Sequence, residues 1–333
     1  MPTRTTQIKR LRLGPMSFIT APKGRSVRLF ENRLTEAARA RHEAAEPVVH
    51  QERVTREDLD ALAKRDPEAA KIVDQIRGLM WYHTVDLGHG VRTPGFVDHR
   101  AQLPQYALPA SMEGMRVLEI ATFDGFFAFE FERRGSTDVT CIDVARRADI
   151  DCPRYMLRDI EGFGLTGTMG ESFEVAQHIL GSKVQRVERS VYDLDPEVDG
   201  MFDFVFISDL LVHLRDPQLA LERAYSVCRG EFVLADVYSP ELDALGRVPA
   251  AQFLGPGETW WYPNVACLRQ MMAVAGFEPV EEVSRFVLDA VEGNNRIHKV
   301  VLRGKPAAQP SWATRELASR AAANPKHETL HTS

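Results

Sequence analysis

Two carboxylates and a turn glycine, set at the tips of neighbouring apolar runs, are the residues in this chain best placed to do chemistry. Glu119 sits near the end of Arg116-Val-Leu-Glu-Ile120. The turn Ala121-Thr-Phe-Asp-Gly125 follows, and a phenylalanine-rich helical run begins at Phe126. Twenty-four residues after Glu119, a second apolar run ends in Cys141-Ile-Asp143. A strand, tight turn and helix followed by an acid on the next strand is a layout that receives a nucleotide-like ligand. Glu119 is placed to accept from an ammonium and Asp143 from a ribose diol. Gly125 would allow positive φ and close backbone approach, with Ala121, Thr122 and Phe123 completing the turn. A dinucleotide fingerprint would need G-x-G-x-x-G, and there is no Walker lysine, so a pyrophosphate cradle is not expected. The combination points to S-adenosylmethionine.

Methyl transfer needs alignment more than covalent catalysis, and a base only where the acceptor loses a proton. The candidates are Glu171, Asp209, His213 and His83. Each has a plainer role open to it: Glu171 and Asp209 as helix-end residues, His213 as a loop-orienting group. Trp81, Tyr82, Phe96, Arg100, Trp260, Trp261 and Tyr262 are the expected substrate pocket, where aromatic faces would stack on a planar acceptor. His83, His89 and His99 fit no common zinc or iron spacing, so no metal site is expected.

The elements that must position these groups follow from periodicity. Apolar runs predict strands at 115–121, 138–144, 184–191, 202–208 and 231–238, alternating with helices, which makes an α/β fold with a mostly parallel sheet. Pro279–Leu288 and Ile297–Leu302 read as an antiparallel C-terminal strand pair joined around Gly293-Asn-Asn295. Two short helices are expected between Thr55 and Met80, capped at Thr55 and Asp66. Asn264 should cap a helix running to Ala275 and ended by Gly276. The long connection from Asp236 to Trp260 is of a length that usually serves function.

These motifs resemble the class I S-adenosylmethionine-dependent methyltransferases, a Rossmann-like fold, from about Met80 to Arg303. More narrowly, Trp81-Tyr-His-Thr-Val-Asp-Leu-Gly-His-Gly90, Thr93-Pro-Gly95, Leu211-Val-His-Leu-Arg-Asp-Pro217 and Trp260-Trp-Tyr-Pro-Asn264 resemble a bacterial group related to tRNA wobble-uridine carboxymethyltransferases. The resemblance implies that Val191, Tyr192 and Asp193 lie at the adenine and Ser208 at the cofactor edge. Relatives usually carry glycine at Ala121 and aspartate at Glu119. Those that use carboxy-S-adenosylmethionine carry tyrosine at Val212 and a lysine after Thr93-Pro-Gly95, where this chain has neither. Ordinary S-adenosylmethionine is therefore the expected cofactor. The implied division is a basic arm at 1–50, a helical extension and pocket-covering segment at 51–113, a methyltransferase domain at 114–303 and a weakly ordered tail at 304–333.

Composition bounds the function classes. The 333 residues are 44% hydrophobic and 26% charged, ordinary for a globular protein. There is no signal-peptide core or membrane-length apolar run, so a cytoplasmic location without membrane attachment is expected. Four cysteines show no paired or zinc spacing. Residues 1–41 carry net +8, which leaves −14 for the rest of a chain of net charge −6. A basic arm suits RNA, a phosphorylated substrate or a homodimer contact. An acidic body argues against a broad RNA surface. The preferred reading is a small apolar or aromatic acceptor. The alternatives are a tRNA wobble uridine, a prenyl diphosphate (the one case calling for Mg2+), and a cofactor-binding protein without turnover.

Overall fold

The computed structural model describes residues 54–162, 164–255, 259–289 and 296–313, with strand backbone also at 9–13, 16–21, 24–26 and 48–49. The central strands are β1 (Arg116–Ile120), β2 (Asp138–Asp143), β3 (Gln185–Glu188), β4 (Phe202–Ser208), β5 (Cys228–Val237), β6 (Glu281–Asp289) and β7 (Arg296–Gly304). With Val48–Val49 at the edge they form one eight-stranded sheet in the order Val48–Val49, β6, β7, β5, β4, β1, β2, β3. β1 pairs in parallel with β2 and β4, and β4 with β5, while β7 runs antiparallel to both β5 and β6. The mostly parallel sheet with a reversed C-terminal strand is the expected α/β architecture. Its order turns back on itself between β1 and β4, where such folds take ligands outside the strand ends.

Both faces are covered, as the near-continuous apolar strands require. On one face, Phe204 and Phe206 meet α3 (Phe126–Arg133) and α4 (Glu171–Leu180), with Phe127 and Phe206 4.6 Å apart and Phe129 stacked on Phe173. The same core takes in α1 (Arg56–Ala63) and α2 (Pro67–Ile76) through Leu59, Ile72 and Ile76. α1 begins in a reciprocal cap between Thr55 and Asp58, and α2 on Asp66 with Pro67 in its first turn, as the sequence predicts. On the other face, Leu118, Ile120, Ile207 and Leu234 pack against Ala220 and Leu221 of α6 (Pro217–Val227) and Leu268 and Met272 of α8 (Val265–Ala275). Two short helices, α5 (Pro196–Asp199) and α7 (Pro240–Asp243), complete the set used below. Asn264 caps α8 and Gly276 ends it in a left-handed conformation, again as read.

Three differences from the sequence reading have simple causes. The third strand is shorter than 184–191, because Ser190 caps a 3-10 turn at Val191–Asp193. The chain beyond Gly304 stays attached as far as Ala313: Ala307 bonds Gly276 and Tyr225, Ser311 bonds Glu278, and the Trp312 indole donates to the Ala273 carbonyl. Residues 314–333 and the junction at 293–295 lie outside the described residues. Finally, within the segment read as a basic arm, Val48–Val49 joins the sheet edge beside β6, and 9–13, 16–21 and 24–26 pair as an antiparallel meander.

Candidate active site

At the end of β1 the ladder pairs Ile120 with Ile142 and Ile207, and the chain then turns sharply. The Ala121 and Thr122 amides both bond the Ile142 carbonyl, at 2.8 and 3.3 Å. Ala121, Phe123 and Gly125 have φ of 66°, 51° and 88°. Left-handed backbone costs a residue with a β-carbon about 1–2 kcal/mol, so the turn stores strain at the ligand edge of the sheet. Gly125 takes the expected positive φ and has a second constraint. A β-carbon on it would lie 2.5 Å from the Phe129 ring and 2.7 Å from Phe173. Its bareness therefore serves the aromatic core beneath the turn.

The two carboxylates separate. Glu119 is fully buried on the α3 face, accepts from the Thr122 hydroxyl at 2.6 Å, and is pushed up to about 8 by burial. It does not reach open space, so the ammonium role assigned from sequence finds no support in its position. Asp143 does line open space. Its oxygens accept from the Phe123 and Val144 amides at 2.9 and 2.8 Å, and burial raises its carboxyl. Each oxygen keeps a second lone pair.

That space is a cleft of about 970 Å³ along the carboxyl ends of β1, β2 and β3. Ile120 and Ala121 form one wall, Val191 and Tyr192 another, and Leu210 and His213 a third. Asp193 is exposed and outside it. A bonded network runs along the same lining. The Tyr192 hydroxyl donates to Asp151 and accepts from the Asp216 amide, Asp151 also takes the Arg215 amide, and Arg215 lies 4.6 Å over the Trp260 ring. The Trp260 indole donates to the Asp151 carbonyl and that of Trp261 to the Arg215 carbonyl. Trp261 and Tyr262 are held in a short strand, Trp261–Pro263, against Ala251–Phe253.

The other aromatics expected at the pocket are elsewhere. Trp81 is buried against the helical extension, and Phe96, 38% exposed, flanks the same outer depression as Leu59 and Ile76. Arg100 is clamped by Asp98 through bonds of 2.9 and 2.7 Å. Tyr82 turns the opposite way from Trp81, because Asp124 accepts from the Tyr82 and His83 amides at 2.9 and 2.7 Å and meets the His83 ring at 2.5 Å. Thr93 bonds the His83 carbonyl, and a β-carbon on Gly95 would stand 2.1 Å from that carbonyl carbon. The motif glycine is there for a close backbone crossing.

The base candidates do not converge. His213 faces the cleft, His83 is committed to Asp124, and Glu171 is exposed at the start of α4, held by Thr168 at 2.8 Å. Asp209, with φ of 53°, belongs to a buried polar cluster the sequence reading missed. Lys299 on β7, with no exposed surface, donates to Asp209 at 2.7 Å and to Ser208 at 3.1 Å. His99 places Nε2 4.0 Å from Asp209 and Nδ1 2.8 Å from the Tyr106 hydroxyl, and burial followed by the Lys299 charge pushes its pKa down. Asp236, pushed up to about 6 by burial and then by Asp209, accepts from the Leu211 and Val237 amides. One signal was available: a lysine inside the apolar run Ile297-His-Lys-Val-Val-Leu302 is a buried charge needing a partner.

Strand order and the switch-point cleft together define a Rossmann-like fold. The model of the methyltransferase domain family matches residues 97–282, more than half the chain. The chain belongs to that family, the S-adenosylmethionine-dependent methyltransferases. A tRNA U34 carboxymethyltransferase of Syntrophotalea carbinolica is 33% identical over 92 residues, which covers 27% of this chain. The chain spans 28% of the length of that curated relative. Among solved structures, it is similar to the N-terminal domain of EvdMO1 in the presence of SAH and D-fucose, at 18% identity and TM-score 0.48, covering 72% of this chain and 97% of that one. It is also similar to the 1,6-didemethyltoxoflavin-N1-methyltransferase of Burkholderia thailandensis, at 16% identity and TM-score 0.43, covering 63% and 80%.

Proposed function

We propose that this chain moves a methyl group from S-adenosylmethionine to a small apolar or aromatic acceptor. The observation that carries the reading is the cleft at the switch point, lined by Asp143, with Trp260 bonded to Asp151 and packed on Arg215 at its wall. The residues fit the cofactor. Asp143 keeps lone pairs for ribose hydroxyls, and the tight Ala121 turn leaves the strand ends open. Val191 and Tyr192 offer apolar surface to a purine, and His213 and Leu210 border the methionine side. When bound, the cofactor supplies a sulfonium methyl that an aligned nucleophile displaces. The protein's part is to orient both partners and exclude water beside Trp260. Among the described residues no group of three or more His, Cys, Asp or Glu is placed to hold a metal, and no helix is long and apolar enough to cross a membrane.

Replacing Asp143 with alanine should weaken S-adenosylhomocysteine by about 1.5–3 kcal/mol in calorimetry, the range for a hydrogen bond to a charged group. Unchanged affinity would place the ribose elsewhere. A second reading, tRNA modification, draws on the Syntrophotalea relative. Radiolabelled S-adenosylmethionine offered with separated RNA and small-metabolite extracts distinguishes the two. Label is expected in the metabolite fraction, and label in tRNA would reverse the order of the readings.

A further inference from the structure

Three strands meet at the loop that forms one wall of the cleft. β4 stops at Ser208, which the ladder pairs with Ala235 of β5, and β7 lies on the other side of β5 with Lys299 opposite Val237. From the loop after Ser208, Leu210, His213 and Leu214 line the cleft. Its first residue, Asp209, has φ of 53°. A residue with a β-carbon keeps that conformation only where its surroundings over-determine it.

The surroundings here do that. The Asp209 amide donates to the Ala235 carbonyl at 3.1 Å, and the Leu211 amide to the Asp236 carboxylate at 2.8 Å. Lys299 completes the set, its ammonium donating to Asp209 Oδ2 at 2.7 Å and to Ser208 Oγ at 3.1 Å. The Tyr82 hydroxyl also bonds the Asp209 carboxylate. Lys299 has no exposed surface, and Lys299, Ser208 and Asp209 all lie outside the lining of the cleft. Stability alone does not account for such a pair. The cost of taking two charges out of water offsets most of their attraction, and apolar residues of similar volume often hold a fold as well or better.

We propose that Lys299 is a positioning residue for cofactor binding, holding the wall that carries Leu210 and His213 in the place the cofactor needs. This rests on the methyltransferase reading above and adds to it a residue outside the cleft. Lys299 acts through two links: its bond to Asp209 keeps the left-handed turn, and its bond to Ser208 ties that turn to the last rung of β4. With a neutral pair at 209 and 299 the turn is free to relax, and Leu210 and His213 move with it. The cofactor then meets a displaced wall. The reversed C-terminal strand thereby gains a task in the site, since β7 carries a cation to the end of β4, a strand it does not adjoin.

The test is the double variant Asp209→Asn with Lys299→Met. It removes both charges together, so neither is left buried alone, and asparagine is at home in left-handed backbone. S-adenosylhomocysteine affinity is measured by calorimetry, with thermal stability alongside, and the His213 ring signals are followed by NMR in the ligand-free protein. The variant should melt close to wild type, bind S-adenosylhomocysteine about tenfold or more weakly, and show shifted His213 signals. Affinity within about twofold of wild type, or His213 signals that stay in place, overturns the positioning role and leaves the pair to packing. Should the double variant not fold, Ser208→Ala decides. The Ser208 side chain lies outside the cleft, so loss of its bond to Lys299 reaches the cofactor only through the loop. It should weaken binding about threefold and move the His213 signals, and an unchanged affinity or unmoved signals overturns the proposal. Failure of the wild-type protein to bind S-adenosylhomocysteine overturns both this role and the cofactor reading.

Discussion

At the scale of single residues, the carboxyl groups differ by where their strands leave them. Glu119 and Asp143 look equivalent in the sequence, each near the tip of an apolar run. Depth along the strand decides between them: Glu119 pairs with Cys141, two residues short of the level of Asp143, so Glu119 stays buried beneath the turn while Asp143 reaches the cleft. This makes Glu119 a pH sensor of stability. Its folded pKa, about 8, lies above its ordinary value of 4.5, so the folded state holds a proton that the unfolded chain releases. Stability linked to it is fully present below about 4.5 and is lost as pH rises toward 8. Glu119→Gln, which keeps the shape without the ionisation, should match wild type near pH 4.5. At pH 8 it should exceed wild type by about 1 kcal/mol or more, roughly 2–4 °C in Tm. Parallel pH profiles for the two proteins would show that Glu119 is charged in the fold. Gly125 carries a similar lesson, because a turn glycine can serve the packing below it as readily as a ligand above it.

At the scale of elements, the five parallel strands, the reversed pair and the capped helices were legible because alternation and capping are local rules. The loops were not, since no period tells which way a loop side chain points. Trp81 and Tyr82 are neighbours that part company at the Asp124 bonds, one toward α2 and the other toward Asp209. The Asp236 to Trp260 connection was marked as functional by its length, but its contents, α7 and the Ala251–Phe253 strand, carried no strong periodicity. The Asp209 to Lys299 pairing joins positions 90 residues apart, and the antiparallel register of β7 on β5, which aligns them, is invisible without the sheet. The Trp260 network is the element most open to test. Trp260→Ala removes the face beneath Arg215 and the indole bond to Asp151, interactions of about 0.5–1 kcal/mol each. S-adenosylhomocysteine should dissociate several-fold faster in stopped-flow measurements, with little change in thermal stability. An unchanged dissociation rate with a lowered Tm would make the tryptophan a packing residue only.

At the scale of the whole molecule, charge and connectivity decide different things. The −14 carried by residues 42–333 disfavours a broad polyanion surface, which is why the small-acceptor reading leads. Connectivity matters through Asp124. Its carboxylate gathers two consecutive amides and a ring nitrogen from a segment about 41 residues earlier, while its own backbone lies in the turn after β1 at the edge of the cleft. The turn and the Tyr82–His83 segment therefore behave as one mechanical part, and tightening either restrains the other. Hydrogen exchange can read this directly. S-adenosylhomocysteine should slow exchange at the Tyr82 and His83 amides, although neither residue lines the cleft, and Asp124→Ala should leave those two amides indifferent to it. With that joint intact, whichever ligand arrives first stiffens the chamber of the second, so each raises the other's affinity by the same factor.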